Sequence, residues 1–529
     1  MLDPAIRAAR TTLPTTLLLT ALGCAACASS GTAAPPGGAG GEGASTGAST
    51  SSAGGAGGGG GAGGQGGTAA QGGASATSTS SSASGGGSAA SAGGAGEGGS
   101  GGAACGAATA LDATFGNGGA KQLAVVGAPG AFGSDTDRDY GRAIAVEPGG
   151  NIVFAGVWYS GQSYDFALMR LGSDGSLDPT FGTAGIVKQH SFAAPAPLRG
   201  VALDGSGNIV VAGALTSFGG PYGLARFTAQ GTPDTTFGGT GFISTVVIHP
   251  QADSVTSFQP VGVQSDGKVV IGGGESTATS DFVVARYDTA GQLDTTFGIG
   301  GTRKLAISAG YDMITTLRVM PDDRIVVAGV GNKNMLPWEA GEFAVAVLGA
   351  DGTPDAGFNG GGFATAPVDP EGGRPNGVTM QPDGKVVATG CLSCDYNFAS
   401  KVDTVVVRFL STGALDPSFS GDGIRTLKLD PLIDLGYDVV VAPDGNLVVS
   451  GGLGVQQQNG KMYVARLLPD GTLDPCFGTA GVFSTYPVQG FAGNDQAFSV
   501  KLLDDGSILA AGCTGDSSLG DFAIMKLAP

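Results

Sequence analysis

The stretch that decides the fold is Ser265–Gly298, with the sequence SDGKVVIGGGESTATSDFVVARYDTAGQLDTTFG. It opens with an Asp-Gly pair beside a β-rich run, which is a hairpin signal. A second run, DFVVARY, alternates large and small residues as a strand within a sheet does. The closing LDTTFG has turn residues followed by an aromatic anchor. The stretch therefore predicts short strands joined by tight turns, with no helical period.

The closing turn motif occurs seven times in the chain. Its phenylalanines are Phe115, Phe181, Phe237, Phe297, Phe358, Phe419 and Phe477, at spacings of 66, 56, 60, 61, 61 and 58 residues. The hairpin, the alternating strand and a further short strand after each turn keep the same period. A period of about 60 residues predicts a repeat architecture in which each unit holds four strands.

A four-stranded sheet of this size cannot bury both of its faces alone. Radial packing of such sheets solves the problem and predicts an all-β, seven-bladed β-propeller. The first repeat motif is followed by a fourth-type strand near Lys121–Val126, and the last unit stops at Leu527 after its third strand. We therefore expect the N-terminal strand to complete the last blade and close the ring. The alternative is an open solenoid.

The units resemble the delta-60 repeat, a family of exported bacterial β-propeller-like repeats. The family's hairpin DGKIVVAG, strand DFALARY and turn DGSLDTSFG are matched here within Ser265–Gly298, and the resemblance covers about Ala110–Leu527. It implies the fold and export, and it implies no defined activity. The fourth unit departs most, with PDAGFN as its turn motif and Val347 where other units have arginine.

The N-terminus predicts a lipoprotein-type signal peptide over residues 1–23. Arg7 and Arg10 precede a short apolar stretch, and the run Ala21-Leu22-Gly23-Cys24 resembles a bacterial lipobox. Cys24 is then the lipidated residue, with Cys27 as the alternative and plain cleavage near Ala26–Ala28 as the third possibility. This pattern predicts an exported protein of the cell envelope or cell surface that contacts the membrane through its lipid anchor only.

Two further regions follow the signal peptide. Residues 24–104 are almost wholly Gly, Ala, Ser and Thr, and this composition predicts a disordered tether because it offers no apolar surface to bury. Residues 105–529 form the predicted propeller, which we expect to be monomeric. The chain has 100 glycines and a net charge of −18, so we predict no nucleic-acid partner, since acidic surfaces repel phosphates.

The turn aspartate recurs in every unit and has a basic residue eight positions before it in most units. Arg170 with Asp178 and Arg286 with Asp294 exemplify the arginine pairs, and Lys526 stands in the same relation to Asp112. We predict an ion pair that fixes the link between blades. The alternative is that each aspartate caps its own turn. The phenylalanines that follow, such as Phe181 and Phe297, are predicted core anchors.

Few residues indicate catalysis or metal binding. The two histidines, His190 and His249, fall late in fourth strands, where surface roles are expected. The run of Asp135, Asp137 and Asp139 suggests calcium, but Tyr140 stands where an EF-hand loop needs its turn residue. We therefore predict no cofactor, with calcium as the open alternative.

The cysteines of the repeat region suggest two disulfides. Cys391 and Cys394 form a CxxC pair that predicts a local disulfide in an exported protein, with redox or zinc chemistry as alternatives. Cys105 and Cys476 lie at turns of blades that ring closure makes adjacent, and their pairing would staple the ring. Cys513 remains as a small apolar filler.

Aromatic residues in the connections between second and third strands indicate a recognition surface, because these connections lie on one face of a propeller. The predicted ligand-binding residues are Trp158, Tyr159, Tyr164, Tyr222, Trp338 and Tyr396. The alternative is that each packs locally over its own loop. We predict a binding or interaction module for a surface polymer or a protein, and name no catalytic residue. The alternatives are a hydrolase or lyase with carboxylates near the channel mouth, and a spacer without a specific ligand.

Overall fold

The computed structural model describes residues 105, 109–125, 139–159, 164–189, 198–215, 221–248, 259–275, 280–332, 341–394, 402–431, 433–455, 460–487, 494–516 and 519–529. These residues form 28 strands in seven four-stranded antiparallel sheets. A 3-10 turn occupies Asn359–Gly361. Within these ranges, no helix has the length and apolar character that crossing a membrane requires.

The strands follow the repeat order, and each sheet is one blade. Blade 1 contains β2 (Tyr140–Val146), β3 (Ile152–Tyr159), β4 (Tyr164–Leu171) and β5 (Ile186–Gln189). Blade 2 contains β6 (Leu198–Leu203), β7 (Ile209–Ala214), β8 (Pro221–Phe227) and β9 (Phe242–Ile248). Blade 3 contains β10 (Val261–Val263), β11 (Val269–Gly273), β12 (Phe282–Tyr287) and β13 (Thr302–Leu305).

The remaining blades repeat this order. Blade 4 contains β14 (Tyr311–Val319), β15 (Ile325–Asn332), β16 (Glu342–Leu348) and β17 (Phe363–Ala366). Blade 5 contains β18 (Gly373–Met380), β19 (Val386–Leu392), β20 (Thr404–Phe409) and β21 (Ile424–Leu427). Blade 6 contains β22 (Asp434–Val441), β23 (Leu447–Leu453), β24 (Lys461–Leu467) and β25 (Val482–Thr485). Blade 7 contains β26 (Gln496–Leu502), β27 (Ile508–Asp516), β28 (Leu519–Leu527) and β1 (Ala120–Leu123).

The N-terminal strand closes the ring, as predicted. β1 pairs antiparallel with β28, with Ala120 opposite Met525 and Leu123 opposite Phe522. The first strand of blade 1, β2, contacts the first strands of both blade 2 and blade 7. The predicted seven-bladed β-propeller with four strands per blade is therefore confirmed.

The strand order defines two faces of the propeller. The hairpins between first and second strands and the turns between third and fourth strands lie on one side, which we call the hairpin face. The connections between second and third strands and the links between blades lie on the other side, which we call the loop face. Both definitions follow from the antiparallel order of the strands.

The hydrophobic core lies between the blades. At the junction of blades 7 and 1, Phe154 and Phe522 meet edge to face with ring centroids 4.8 Å apart. Ile144, Ile152 and Ile524 are fully buried in the same cluster. Since neither sheet buries both of its faces alone, each blade depends on its neighbours for stability, as repeat units do.

A repeated glycine allows first and second strands to approach closely. An ideal Cβ built on Gly329 would lie 1.9 Å from the carbonyl oxygen of Met313, and one on Gly390 would lie 1.9 Å from that of Arg374. In both blades the first strand has a bulge near this point. The glycine that ends the VVAG-type segments is therefore needed because no side chain fits there.

Candidate functional site

On the hairpin face, neighbouring blades are joined by one recurring contact set, which we call the joint triad and which consists of an arginine, a turn aspartate and a phenylalanine. In blade 1, Arg170 Nε donates to Asp178 Oδ2 at 2.9 Å. The guanidinium carbon lies 5.0 Å from the Phe181 ring centroid. Arg170 Nη1 also donates to the carbonyl of Ala229 in blade 2 at 2.5 Å. The arginine therefore connects its own turn to the next blade.

The turn aspartate performs both of the predicted roles at once. Asp178 Oδ1 accepts hydrogen bonds from the backbone N–H and the hydroxyl of Thr180, at 2.9 and 2.6 Å. Asp178 Oδ2 pairs with Arg170. Capping of the turn and ion pairing with the arginine are therefore compatible, because each uses a different oxygen of the same carboxylate.

The triad of blade 3 carries a second cation. Asp294 Oδ2 lies 2.9 Å from Arg286 Nη2 and 3.4 Å from Lys268 Nζ. Burial raises the pKa of Asp294, but the hydrogen bonds from Thr296 and the charges of Arg286 and Lys268 outweigh it and lower the pKa to about 2. One turn aspartate can thus hold two basic side chains.

The other joints vary this arrangement. The arginine pairs of the remaining units are Arg226 with Asp234, Arg408 with Asp416, and Arg466 with Asp474. Lys526 pairs with Asp112 at 3.1 Å. Phe181, Phe297 and the other turn phenylalanines are buried. The triads hold neighbouring blades in place and leave no group free for chemistry on a ligand.

The first strands bring a charged cluster to the propeller axis. Arg318 Nη2 donates to Asp438 Oδ1 at 2.9 Å, and Lys501 Nζ lies 3.4 Å from Asp438 Oδ2. Gln259 Nε2 donates to Ser499 Oγ at 2.8 Å. Blades 3 and 7 are not neighbours, so the Gln259–Ser499 hydrogen bond crosses the centre of the ring. We call these five residues the axial cluster.

The one carboxylate of the axial cluster, Asp438, is paired with the basic side chains of the cluster and with backbone N–H groups. The Asp438 carboxylate also accepts the backbone N–H groups of Val439 and Val500, at 2.9 and 3.1 Å. Burial lowers the pKa of Lys501, and the charge of Asp438 opposes this effect. The cluster carries one net positive charge and its only carboxylate is fully engaged. It therefore lacks the carboxylate pair that glycoside hydrolysis by acid–base chemistry needs.

Sequence reasoning missed the axial cluster. In the seven first strands the position of Arg318 is occupied by Ala145, Ala202, Gly262, Arg318, Thr379, Val440 and Lys501. The position has no constant residue type, and Arg318 and Lys501 are 183 residues apart. The charged residues of the cluster could be found only by aligning the axis-facing positions of the seven first strands. That alignment requires the strand register, which the structure supplies.

On the loop face, the hairpin between the second and third strands of blade 1 carries aromatic residues at its tip. Tyr159 and Tyr164 stand directly opposite one another where β3 and β4 end, and Trp158 is the next residue inward, opposite Asp165. The Trp158 ring packs on the core between blades 7 and 1, and Lys188 Nζ lies 5.0 Å from its centroid. The three aromatics therefore lie in the strands of this hairpin, where loop positions were expected.

The other predicted aromatic residues do not form a described surface with this hairpin. Tyr222 is only 1% exposed and belongs to the core between blades 2 and 3, so its prediction as an exposed ligand-binding residue is wrong. The reason is that Tyr222 lies within β8, opposite Ala214, and not in a loop. Trp338 and Tyr396 lie outside the described residues.

Buried aspartates begin several first strands on the loop face. Asp434 Oδ2 accepts the backbone N–H groups of Leu429 and Asp430, and Asp495 Oδ1 accepts from Thr514 and Gly515. Burial raises the pKa of each carboxyl to about 6. Asp434 braces the loop before its strand, Asp495 holds the end of β27, and both side chains are buried.

The residues considered for metal binding and histidine chemistry are mostly outside the described ranges. His190, His249, Asp135 and Asp137 fall there, as do Cys24 and Cys27. Asp139 is buried and accepts the backbone N–H of Val125 at 2.6 Å. Among the residues with described positions, no group of three or more His, Cys, Asp and Glu side chains has the arrangement of a metal site.

The structure contains two disulfides. One joins Cys105 to Cys476, and the other joins Cys391 to Cys394. Cys476 occupies the position at which other turns have Thr180 or Ser418, so the first disulfide lies at the joint between blades 6 and 7. Cys513 is buried.

These features define a β-propeller of sequence repeats. Five segments match the model of a family described as domain of unknown function (DUF5122) beta-propeller: residues 148–181, 205–237, 264–297, 381–419 and 442–477. They fall on blades 1, 2, 3, 5 and 6 and support a propeller-repeat family. A comparison with curated protein sequences returned no match.

Several solved structures share the architecture at low similarity. The polysaccharide lyase Uly1 has 12% identity and a TM-score of 0.42, covering 77% of this chain and 92% of its own. A GH74 xyloglucanase from Xanthomonas campestris has 14% identity and a TM-score of 0.39, covering 71% and 52%. A gluconolactonase from Xanthomonas campestris has 15% identity and a TM-score of 0.32, covering 77% and 100%. These values carry no argument about activity.

Proposed function

We propose that this protein is an exported, lipid-anchored propeller that acts as a binding module for a surface polymer or another protein. The lipobox-like run ending at Cys24, or the alternative at Cys27, supports attachment to the membrane. The Gly/Ser-rich segment over residues 24–104 would then separate the propeller from the membrane as a flexible coil. The resemblance of the units to the delta-60 repeat supports export.

The binding surface we propose is the tip of the blade 1 hairpin on the loop face. The observation that carries the proposal is the pairing of Tyr159 with Tyr164, next to Trp158, at the end of two strands. Tyrosine and tryptophan present large apolar area together with a polar group, which suits them to glycan and protein contacts. Trp338 and Tyr396, which lie outside the described residues, remain proposed ligand-binding residues, and Tyr222 is removed because it is buried.

Binding is better supported than catalysis by carboxylates at the channel. In the axial cluster, Asp438 is neutralised by Arg318 and Lys501. The turn aspartates other than Asp355 are paired with a basic side chain of their own unit's third strand, and Asp434 and Asp495 are buried. The described carboxylates near the axis are thus already engaged in structural contacts.

The binding surface can be tested with glycan arrays and cell-wall pull-downs on the intact mature protein. We expect the double variant Tyr159→Ala/Tyr164→Ala to lower affinity for the identified ligand by at least about tenfold, as for central interface aromatics. Ile299→Ala is the control, since Ile299 is 78% exposed and lies in a turn on the hairpin face. Wild-type affinity in the tyrosine variant would exclude this surface.

The anchor can be tested separately from the ligand. We expect Cys24→Ala to abolish incorporation of radiolabelled fatty acid and to move the protein from the membrane fraction to the soluble fraction, because one acylation site supplies the anchor. Cys27→Ala is the matched control and should leave both readouts unchanged. The reverse result would assign lipidation to Cys27, and labelling of neither residue would contradict the proposed anchor.

A further inference from the structure

The joint between blades 4 and 5 lacks the arginine of the joint triad. Val347 stands on β16 at the position that Arg170, Arg286 and Arg408 occupy in blades 1, 3 and 5. Valine is shorter than arginine and carries no charge. Where five of the other joints contain a guanidinium and one contains the ammonium of Lys526, this joint contains a cleft of about 380 Å³.

The cleft retains the groups that hold the guanidinium elsewhere. It is lined by Val347, Asp355 and Phe358 of blade 4 and by Ser411 of blade 5. Asp355 and Phe358 are the turn aspartate and phenylalanine of the triad. Ser411 stands at the turn position whose carbonyl accepts from the arginine at the other joints, as Ala229 does for Arg170.

Asp355 is the feature that makes the cleft attractive to a cation. Its Oδ1 caps the turn by accepting the backbone N–H of Gly357 at 2.9 Å, which leaves Oδ2 toward the cleft. The side chain is 32% exposed, against 2% for Asp416 at the next joint, because its own third strand supplies Val347 and no arginine to cover it. A second carboxylate, Asp383, lines the same cleft and is paired with Lys385.

One basic side chain already lies at the edge of the cleft. Arg324 Nη1 is 3.8 Å from Asp355 Oδ2, while Arg324 Nε donates to Asp322 at 2.7 Å. Blade 3 shows that this position accommodates a second cation, because Asp294 holds Lys268, the equivalent of Arg324, together with Arg286. Arg324 therefore leaves room for a further guanidinium on Asp355.

We propose that the cleft between blades 4 and 5 binds the guanidinium of an arginine side chain presented by a partner protein. The planar group would stack on Phe358 and pair with Asp355, as the intramolecular arginines do with their phenylalanine and aspartate. The net charge of −18 favours approach of a basic partner segment. The cleft is on the hairpin face, away from the blade 1 hairpin tip, so it constitutes a separate site.

The test is a titration of the intact protein with N-acetyl-arginine amide, followed by NMR shifts or calorimetry. We expect millimolar affinity for this single residue. The uncharged isostere N-acetyl-citrulline amide should bind at least about tenfold more weakly. Equal binding of the arginine and citrulline probes would overturn the proposal.

Two variants place the binding in the cleft. Val347→Arg should abolish probe binding, because the new side chain occupies the cleft as Arg408 does at the next joint. Asp355→Asn should weaken binding at least about tenfold, and it keeps the test valid if the first variant does not fold. Asp444→Asn, at an exposed hairpin of blade 6, controls for the change in net charge and should bind the probe as wild type does. Wild-type probe binding by a folded Val347→Arg or Asp355→Asn variant would also refute the site.

Discussion

The joint between blades 5 and 6 and the joint between blades 6 and 7 solve the same packing problem by different means. At the first, Arg408 is 4% exposed and donates to the carbonyl of Pro469, in the continuous turn of blade 6. At the second, Arg466 is 29% exposed, because the corresponding turn of blade 7 is divided between the segments before β1 and after β28. The covalent continuity of the turn thus decides how well the triad is covered.

The divided joint is reinforced covalently. Ser420 N donates to the carbonyl of Asp470 at the joint of blades 5 and 6, whereas Gly478 N donates to the hydroxyl of Thr109 at the joint of blades 6 and 7. Cys476 replaces the hydroxyl residue of the turn and is bonded to Cys105. At the joint of blades 6 and 7, a disulfide therefore replaces the restraint that a continuous turn supplies at the other joint.

The largest effect is expected from removing the covered arginine. Arg408→Met leaves Asp416 buried without its cation, and we expect the free energy of unfolding to fall by about 3–5 kcal/mol. Arg466→Met is the matched variant at the divided joint, where the more exposed pair should cost about 1 kcal/mol. Urea unfolding monitored by circular dichroism measures both. Equal losses of unfolding free energy in the two variants would contradict the conclusion that the continuous turn covers its arginine better.

A somewhat smaller effect is expected from removing the disulfide of the divided joint. Cys105→Ser/Cys476→Ser should lower the free energy of unfolding by about 2–5 kcal/mol, since the bond closes a long loop across 371 residues of sequence. Serine restores the hydroxyl found at this turn position in blade 5. The control is Cys391→Ser/Cys394→Ser, whose loop spans only three residues of sequence and should matter less. If the control loses as much stability, loop closure is not the cause.

A further effect is the response to pH, which two buried aspartates on the loop face set in the same direction. The folded-state pKa of Asp434, in blade 6, and of Asp495, in blade 7, is about 6, above the ordinary value of 3.8. The folded state therefore holds protons that the unfolded state has lost between these values, so stability falls as pH rises from about 4 to 6. Asp434→Asn and Asp495→Asn should each reduce this slope.

Below about pH 4, the dependence of stability on pH has the opposite sign. Burial opposes the effect, but the hydrogen bonds from Ser418 and the charge of Arg408 lower the pKa of Asp416 below 3.8. The stability it contributes is present above its unfolded pKa and is lost as pH falls through its folded pKa. We expect maximal stability between these two limbs, near pH 4, in urea unfolding measured across pH. Unchanged acid sensitivity in Asp416→Asn would contradict the assignment.

Much of the architecture was predictable from local signals. The Asp-Gly hairpins, the alternating strands and the turn phenylalanines are short-range patterns, and their seven repetitions identify the blades. The pairing of Arg170 with Asp178 was visible as a constant spacing of eight residues. Tyr222 was misassigned because the loop before β8 was taken to extend past Pro221, where the strand begins, and a shift of a few residues at a strand end separates a buried position from an exposed one.

The units, their number and the closure of the ring follow from the sequence alone, because each depends on periodic short-range chemistry. The contacts across the axis, and the cleft at the joint that lacks its arginine, follow only from the folded ring. Arg318, Asp438 and Lys501 occupy positions that vary from unit to unit, and their contacts depend on the ring bringing distant strands together. The cleft beside Val347 is recognisable as a guanidinium-sized space only by comparison with the joints whose arginines occupy the equivalent position.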